Sequence, residues 1–271
     1  MPELPEVETT RRGLARFVEG ATITRVVSRT TRLRWPVARE LHDLAGCRVH
    51  RLTRRGKWLL WHFERGTLLW HLGMSGSFRV WSGPEPAGPH DHLDLQLAEG
   101  VVIRYTDPRR FGAVLWQPGE NPELHPMLAR LGPEPLGTGF DGDRLWHKSR
   151  GRRIAVKPFI MDAAIVVGVG NIYATESLYR AGIDPRRAAG RISRARYQRL
   201  AEHICDTLRE AIEVGGTTLR DFSVTDGRPG YFAQRLEVYG RAGQPCRRCL
   251  TPLKQTSLGQ RSTVWCPRCQ H

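Results

Sequence analysis

The chain has 271 residues, 40% of them hydrophobic, and a formal net charge of +15. That length accommodates two domains and that composition excludes a disordered chain, while the charge favours a polyanionic partner, because each phosphate neutralised by Arg or Lys releases a counterion. No apolar run reaches the length of a membrane span, and the chain start lacks the basic-then-apolar order of a secretory signal, so the expectation is a cytoplasmic protein with no membrane partner.

The first predicted element follows the opening MPELPEVETTRRGL. Pro5 suits a first helical position, Glu6 and Glu8 fall in the first turn, and Val7, Thr10, Leu14 and Val18 keep helical spacing until Gly20. Pro2 and Glu3 therefore sit just ahead of a helix N-terminus. Removal of Met1 would give Pro2 a free secondary amine, and the positive end of the helix dipole disfavours the protonated form of that amine. From Thr22 to about Gln117, short runs rich in β-branched and aromatic residues are broken by glycine turns (ATITRVVSRT, KWLLWHFERGTLLWHLGM, SGSFRVW, HLDLQLAEGVVIRYT, GAVLWQP), which implies a sandwich or barrel. LGPEPLGTGFDGD at 131–143 reads as a linker. GNIYATESLYRAGIDP reads as a short helix stopped by Gly182 and Pro185. Ser193 can cap a longer one, with Leu200, Ile204, Leu208 and Ile212 on one face and Gly215–Gly216 as its stop.

The tail carries Cys246, Cys249, Cys266 and Cys269 as C-x2-C-x16-C-x2-C. Paired cysteines at this spacing point four thiolates at one tetrahedral ion, so one structural zinc is expected; six cysteines in a reducing compartment fit metal better than disulfides. Cys47 and Cys205 are expected in the core. The segment between the cysteine pairs presents Lys254, Gln255, Gln260 and Arg261.

PELPEVET at the start, RRGK at 54–57, HLGMSG at 71–76, HDH at 90–92, YTDPRRFG at 105–112, VGVGNIYATE at 167–176 and the four-cysteine tail together resemble the formamidopyrimidine-DNA glycosylases, in order from residue 2 to residue 270. The resemblance implies an α+β fold: an N-terminal β-sandwich with flanking helices, a C-terminal helix–two-turns–helix domain and a β-hairpin zinc finger. It places the catalytic domain at 1–133, a linker at 134–150, the DNA-binding domain at 151–236 and the finger at 237–271. The implied activity is bifunctional: removal of oxidised purines such as 8-oxoguanine and formamidopyrimidines, then strand nicking at the abasic site. The implied partner is double-stranded DNA containing oxidised purines or abasic sites, met by a monomer at the nucleoid.

Residue roles follow from the same resemblance. Pro2 matches the nucleophile that attacks the sugar C1′, and Glu3 the acid that opens the sugar ring; Glu6 is a candidate for holding their geometry. Lys57 matches a lysine assigned to phosphate contact and proton transfer, and Arg261 an arginine that clamps the phosphate beside the lesion. The target base must leave the stack, and Met74, Arg109 and Phe111 match the residues that fill the hole. His90, Arg110, Arg152 and Asn171 align with backbone-contacting positions, Asn171 at a helix N-terminus of the anion-binding kind. Lys157 and the stretch 217–232 resemble elements around the everted base, the latter read as a loop. Ala163 departs from the pattern, since many relatives carry a polar residue there. Two other readings stay open: an oxidised-pyrimidine glycosylase of the same superfamily, and a zinc-ribbon DNA-binding protein with Pro2 blocked or inert.

Overall fold

A computed structural model of the chain describes residues 2–83, 85–215, 222–224 and 235–271. The chain divides into one unit made of Met1–Ala129 and Gly215–Tyr231, and a second made of Arg130–Val214 and Phe232–His271.

The first unit begins with α1 (Leu4–Val18), which buries Leu4, Val7, Leu14 and Val18 and ends ahead of Gly20 at φ +79°. There follow β1 (Ile23–Ser28), β2 (Arg51–Arg55), β3 (Trp58–Phe63), β4 (Gly66–His71), β5 (Ser77–Ser82), β6 (Asp91–Leu97), β7 (Val101–Thr106), β8 (Ala113–Pro118), and the single-turn α2 (Pro126–Ala129). A five-stranded sheet runs β1-β6-β7-β5-β9, where β9 is Phe222–Val224, and a four-stranded sheet runs β2-β3-β4-β8. β3 (WLLWHF) is buried along its whole length, as a strand covered on both faces must be. Trp61 and Trp70 of one sheet meet Phe78 and Tyr105 of the other in a single core that also takes Val7, Leu14 and Val18 of α1. This is the expected sandwich with a flanking helix. Of the stretch 217–232, only 222–224 are described; they are not loop but strand, pairing in parallel with β5 from Phe78↔Phe222 to Val80↔Val224. Phe-Ser-Val has strand-forming chemistry, and β5 offers it an edge.

The second unit contains α3 (Gly142–Ser149), α4 (Val156–Met161), α5 (Asn171–Arg180), α6 (Arg194–Glu213) and the hairpin β10 (Lys254–Leu258)–β11 (Arg261–Trp265). Ser193 Oγ caps α6 by accepting from Arg196 N, and Leu200, Ile204, Leu208 and Ile212 lie on its buried face. α3 lies in the stretch read as linker. The Asp and Gly that suggested a turn there do local work: Asp141 Oδ1 accepts from Arg144 N at 2.7 Å as the N-cap. A Cβ on Gly142 would fall 2.4 Å from Gln198 Cα, so glycine permits α3 and α6 to touch. Cys47 and Cys205, expected in the core, are half-buried, Cys47 against the core of the sandwich. Among the described residues no helix is long and apolar enough to cross a membrane.

His62 sits in β3, with Nε2 2.7 Å from Thr53 Oγ1 and Nδ1 3.2 Å from Thr67 Oγ1. Burial, with the Arg51 charge adding, pushes its imidazole down to about 4. An unfolded histidine titrates near 6.5, so below that pH the unfolded chain takes a proton the folded chain refuses. Stability from this site is full above pH 6.5 and falls as pH drops towards 4, by about 3 kcal/mol for a depression of this size. Urea unfolding of wild type and His62→Gln across pH 4–7 checks this: the variant should show the shallower loss, and equal slopes would refute the assignment.

Candidate functional site

In the first unit, candidate site residues lie at the start of α1 and in four connections between strands. Pro2 and Glu3 are buried. The Glu3 backbone N–H donates to Glu6 Oε2 at 2.9 Å, so a first-turn carboxylate fixes the chain at the point where Pro2 leaves it. One turn on, Glu8 Oε2 accepts from Arg54 Nε at 3.3 Å, and Arg11 Nη1 donates to Leu52 O at 3.3 Å, tying α1 to β2. Burial of Glu8 is outweighed by the bonds of Arg11 and Arg12 and the charges of Arg11 and Arg54, which hold its carboxyl below the usual range. β2 leads into the turn Gly56–Lys57, closed by Arg55↔Trp58. Gly56 has φ +58°, the first position of a type II′ hairpin turn, and Lys57 occupies the second.

His71 joins that hairpin to the next loop. Its ring stands 4.9 Å from Trp58, and its Nδ1 accepts from Gly73 N at 2.9 Å. Burial, then the Lys57 and Arg34 charges, push its imidazole down to about 4, so it is neutral at pH 7 with the proton on Nε2. Met74 is half-buried in the β4–β5 loop. Gly73 there has φ +66°, and a Cβ on it would fall 2.3 Å from the Phe111 carbonyl carbon. That close approach sets the Met74 loop directly against the loop 107–112. Arg109, Arg110 and Phe111 are exposed in it, with the Arg109 guanidinium 4.8 Å from the Phe111 ring. His90 is exposed ahead of β6. Met74, Arg109 and Phe111 are thus brought together.

In the second unit, Asn171 is the first residue of α5 behind the N-cap Gly170. Its Oδ1 is buried and has no hydrogen-bond partner among the described residues. Arg152 is exposed, its backbone fixed by N–H donation to Ser149 O at 3.0 Å and acceptance from Gly190 N at 2.9 Å. Arg261 is exposed where β11 leaves the Gly259–Gln260 turn, whose two residues have φ +54° and +61°, the type I′ pattern. Lys157 of α4 is fully buried; its Nζ donates to Ser262 O at 3.0 Å and Thr263 Oγ1 at 2.8 Å. It therefore supports the strand carrying Arg261, a role its sequence context did not suggest.

The Sγ atoms of Cys246, Cys249, Cys266 and Cys269 all lie within 4.8 Å of one another. Tetrahedral zinc with Zn–S bonds of about 2.3 Å sets its sulfurs about 3.8 Å apart, so this cluster fits one structural zinc. Backbone N–H groups of Arg248 and Cys269 approach Cys246 Sγ and Cys266 Sγ at 3.4 Å each, and the Tyr179 hydroxyl of α5 lies 3.1 Å from Cys246 Sγ. Glu176, on the same helix, accepts from the backbone N–H groups of Glu237, Val238 and Tyr239 at 2.8–3.0 Å, ordering the approach to the finger. Burial raises the pKa of its carboxyl against the pull of those bonds. Sequence reasoning singled out neither His71 nor Glu176, although both lie inside motifs it quoted.

Three family models match the chain: formamidopyrimidine-DNA glycosylase N-terminal domain over residues 1–114, formamidopyrimidine-DNA glycosylase H2TH domain over 131–223, and the zinc finger found in FPG and IleRS over 243–271. A formamidopyrimidine-DNA glycosylase of Ectopseudomonas mendocina (strain ymp) is 60% identical over 271 residues, covering 100% of each chain. The Lactococcus lactis Fpg bound to DNA containing an abasic site is 30% identical with TM-score 0.90, covering 99% of each chain. The same protein bound to DNA containing Fapy-dG is 30% identical with TM-score 0.90, covering 99% of this chain and 100% of that one.

The thiolate cluster makes a direct prediction. Elemental analysis should find one zinc per chain, and Cys249→Ala should lose it together with amide protection over 254–265, leaving protection in β3 and β4 intact. A variant that retained both zinc and protection would show that the cluster is not the metal site.

Proposed function

The chain belongs to the formamidopyrimidine-DNA glycosylase family, and from that premise we propose which residues carry the reaction and how. The protein is a DNA glycosylase of base excision repair with the lyase activity of its family. Its substrates are duplexes bearing oxidised purines or abasic sites; the Lactococcus lactis relative has been captured on DNA containing an abasic site and on DNA containing Fapy-dG.

Pro2 is the nucleophile. The observation that carries this is the placing of Pro2 directly ahead of α1, with Glu3 N–H held by Glu6. With Met1 removed, the Pro2 amine forms a bond to C1′ while the glycosidic C–N bond breaks, and the loss of the amine N–H proton balances the proton that the departing base takes up. Glu3 protonates the ring oxygen as the C1′–O4′ bond opens, leaving an iminium. Because proline is a secondary amine, that iminium has no N–H proton to lose. The permanent cation withdraws electrons and acidifies the C2′ proton, whose removal expels the 3′ phosphate. Lys57, on its rigid turn, takes part in this proton transfer and in phosphate contact. A second elimination expels the 5′ phosphate and leaves a one-nucleoside gap.

Met74, Arg109 and Phe111 fill the space of the everted nucleotide: Met and Phe enter between base steps, and Arg hydrogen-bonds the orphaned partner base. His90, Arg110, Arg152, Asn171 and Arg261 contact phosphates, Arg261 beside the lesion. Asn171 and the N-terminal amides of α5 suit an anion. The zinc holds the finger's fold and takes no part in the chemistry. The protein acts as a monomer at the nucleoid, as its charge of +15 favours.

Borohydride trapping tests the assignment. With a duplex carrying 8-oxoguanine opposite cytosine, reduction should yield a covalent adduct mapping to Pro2, and Pro2→Gly should lower lyase activity by at least tenfold. Full lyase activity in Pro2→Gly would refute the nucleophile. Trapping only on an oxidised-pyrimidine duplex would move the substrate to that class. Absence of trapping on any lesion or abasic site, with Met1 shown to be removed, would leave a binding protein.

A further inference from the structure

Asp107 is fully buried between the candidate loops, and the reaction described above gives it no role. An ionised carboxylate accepts hydrogen bonds and donates none, with about four lone-pair positions. Here all four are taken. Oδ1 accepts from Ser75 Oγ at 2.6 Å and Arg109 N at 3.3 Å; Oδ2 accepts from Gly112 N at 2.8 Å and Tyr105 Oη at 3.2 Å. Ser75 follows Met74. Arg109 and Gly112 bracket the segment that presents Phe111. One side chain therefore binds both of the loops that carry the hole-filling residues.

The backbone of the same residue extends the tie. Asp107 N donates to His90 O at 3.0 Å, and Asp107 O accepts from Arg110 N at 3.2 Å and His92 Nε2 at 2.9 Å. Arg110 has φ +53°, a left-handed conformation uncommon outside glycine, and its bond to Asp107 O is one of the restraints that keep it there. Glycines close the gap around the Tyr105 hydroxyl. A Cβ at Gly112 would fall 1.9 Å from it and one at Gly76 2.3 Å from it, so each loop is seated against that hydroxyl with no side chain between.

We infer that Asp107 is a positioning residue that locks the Met74 loop, the Arg109–Phe111 loop and the His90 backbone into one rigid body for insertion into the duplex. Side chains that hold a base stack open are pushed back by the stack, and a loop that yields cannot keep the nucleotide out. Asp107 therefore supports eversion in duplex DNA, and cleavage of a sugar that is already exposed does not need it. This rests on the hole-filling role proposed for Met74, Arg109 and Phe111.

The test compares two rates for each variant of the full chain: excision of 8-oxoguanine from a duplex, and cleavage of a single-stranded oligonucleotide carrying a preformed abasic site, which has no duplex stack to open. Asp107→Asn replaces one acceptor oxygen by an NH2, which in either orientation faces a backbone donor, Arg109 N–H or Gly112 N–H. Ser75→Ala removes a single donor from a half-buried side chain and decides the matter if Asp107→Asn fails to fold. The ratio of duplex to single-strand rate should fall at least tenfold in Asp107→Asn and about threefold in Ser75→Ala. A lesion placed in a bulge, where stacking is already broken, should restore much of the lost ratio. Met74→Ala, run alongside, should lower the ratio too. If Met74→Ala lowers the ratio while Ser75→Ala and any folded Asp107→Asn leave it unchanged or reduce both rates equally, the role of Asp107 is overturned and the hole-filling role stands. If Met74→Ala leaves the ratio unchanged, the hole-filling role is itself overturned, and this inference with it.

Discussion

The aromatic contact between the two sheets is the constraint on which the first unit depends. Trp70 meets Phe78 at 4.9 Å and Tyr105 at 5.1 Å, Phe78 meets Tyr105 at 5.3 Å, and Trp61 meets Phe78 at 6.3 Å. Such pairs contribute about 0.5–1.5 kcal/mol each beyond the burial of their area. That margin has a local cost to meet: Trp61 Nε1 is buried with no hydrogen-bond partner among the described residues, a penalty of about 1–3 kcal/mol. Three turns of this unit with proposed roles adjoin a strand of this cluster. Lys57 precedes the Trp61 strand, Met74 follows the Trp70 strand, and Asp107–Phe111 follow the Tyr105 strand. Turn geometry is thus inherited from the least deformable part of the unit.

Charge is distributed on the same logic. A chain of net charge +15 repels itself, so its acids matter most where they neutralise interior arginines. Arg104 is almost completely buried, and its guanidinium bonds Asp94 at 2.8 and 2.9 Å and Asp91 at 3.3 Å. Removing one partner of such a network leaves an uncompensated buried charge, a loss of about 3–5 kcal/mol. Arg104 also donates to the carbonyls of Glu85 and Pro86, so the network holds the segment leading to His90. The second unit uses Lys157 and Glu176 in the same way, each buried and each bonded to backbone around the finger. Arg109, Arg110, Arg152 and Arg261 lie outside these networks and are exposed at the surface.

How far the sequence disclosed all this depended on the reach of each interaction. α1 and α6 were legible because caps and apolar spacing act within a few residues. The zinc site was legible because two C-x-x-C turns are local and metal chemistry restricts the rest. α3 was misread because Asp141 and Gly142, which serve as a cap and a helix contact, look like turn residues until Gln198 is placed beside them. The strand at 222–224 exists through pairing with β5, well over a hundred residues earlier. Asp107 lay in a motif that named the loop but not its purpose, since Ser75 is 32 residues away. The bonds of Lys157 to the finger strand were hidden for the same reason; these partners lie 105 and 106 residues downstream.

The opening PELPE draws these threads together. Proline offers an amine only at a chain terminus, and a terminus is ordinarily the most mobile part of a domain. A nucleophile placed there gains nothing from proximity unless the fold holds it still. Here the hold is unusually direct. Leu4 and Val7 are buried to within 1% exposure, Glu6 binds the Glu3 N–H, and Glu8 binds the strand that leads to Lys57. Pro5 sits in the first turn of the helix, and Pro2 lies just ahead of its N-terminus, where the positive end of the dipole disfavours the protonated form of the amine proposed to attack. These contacts each remove a freedom that would otherwise defeat the nucleophilic role proposed for Pro2. An N-terminal proline without Glu6 and the buried Leu4 and Val7 would have the same intrinsic reactivity and no fixed direction of attack.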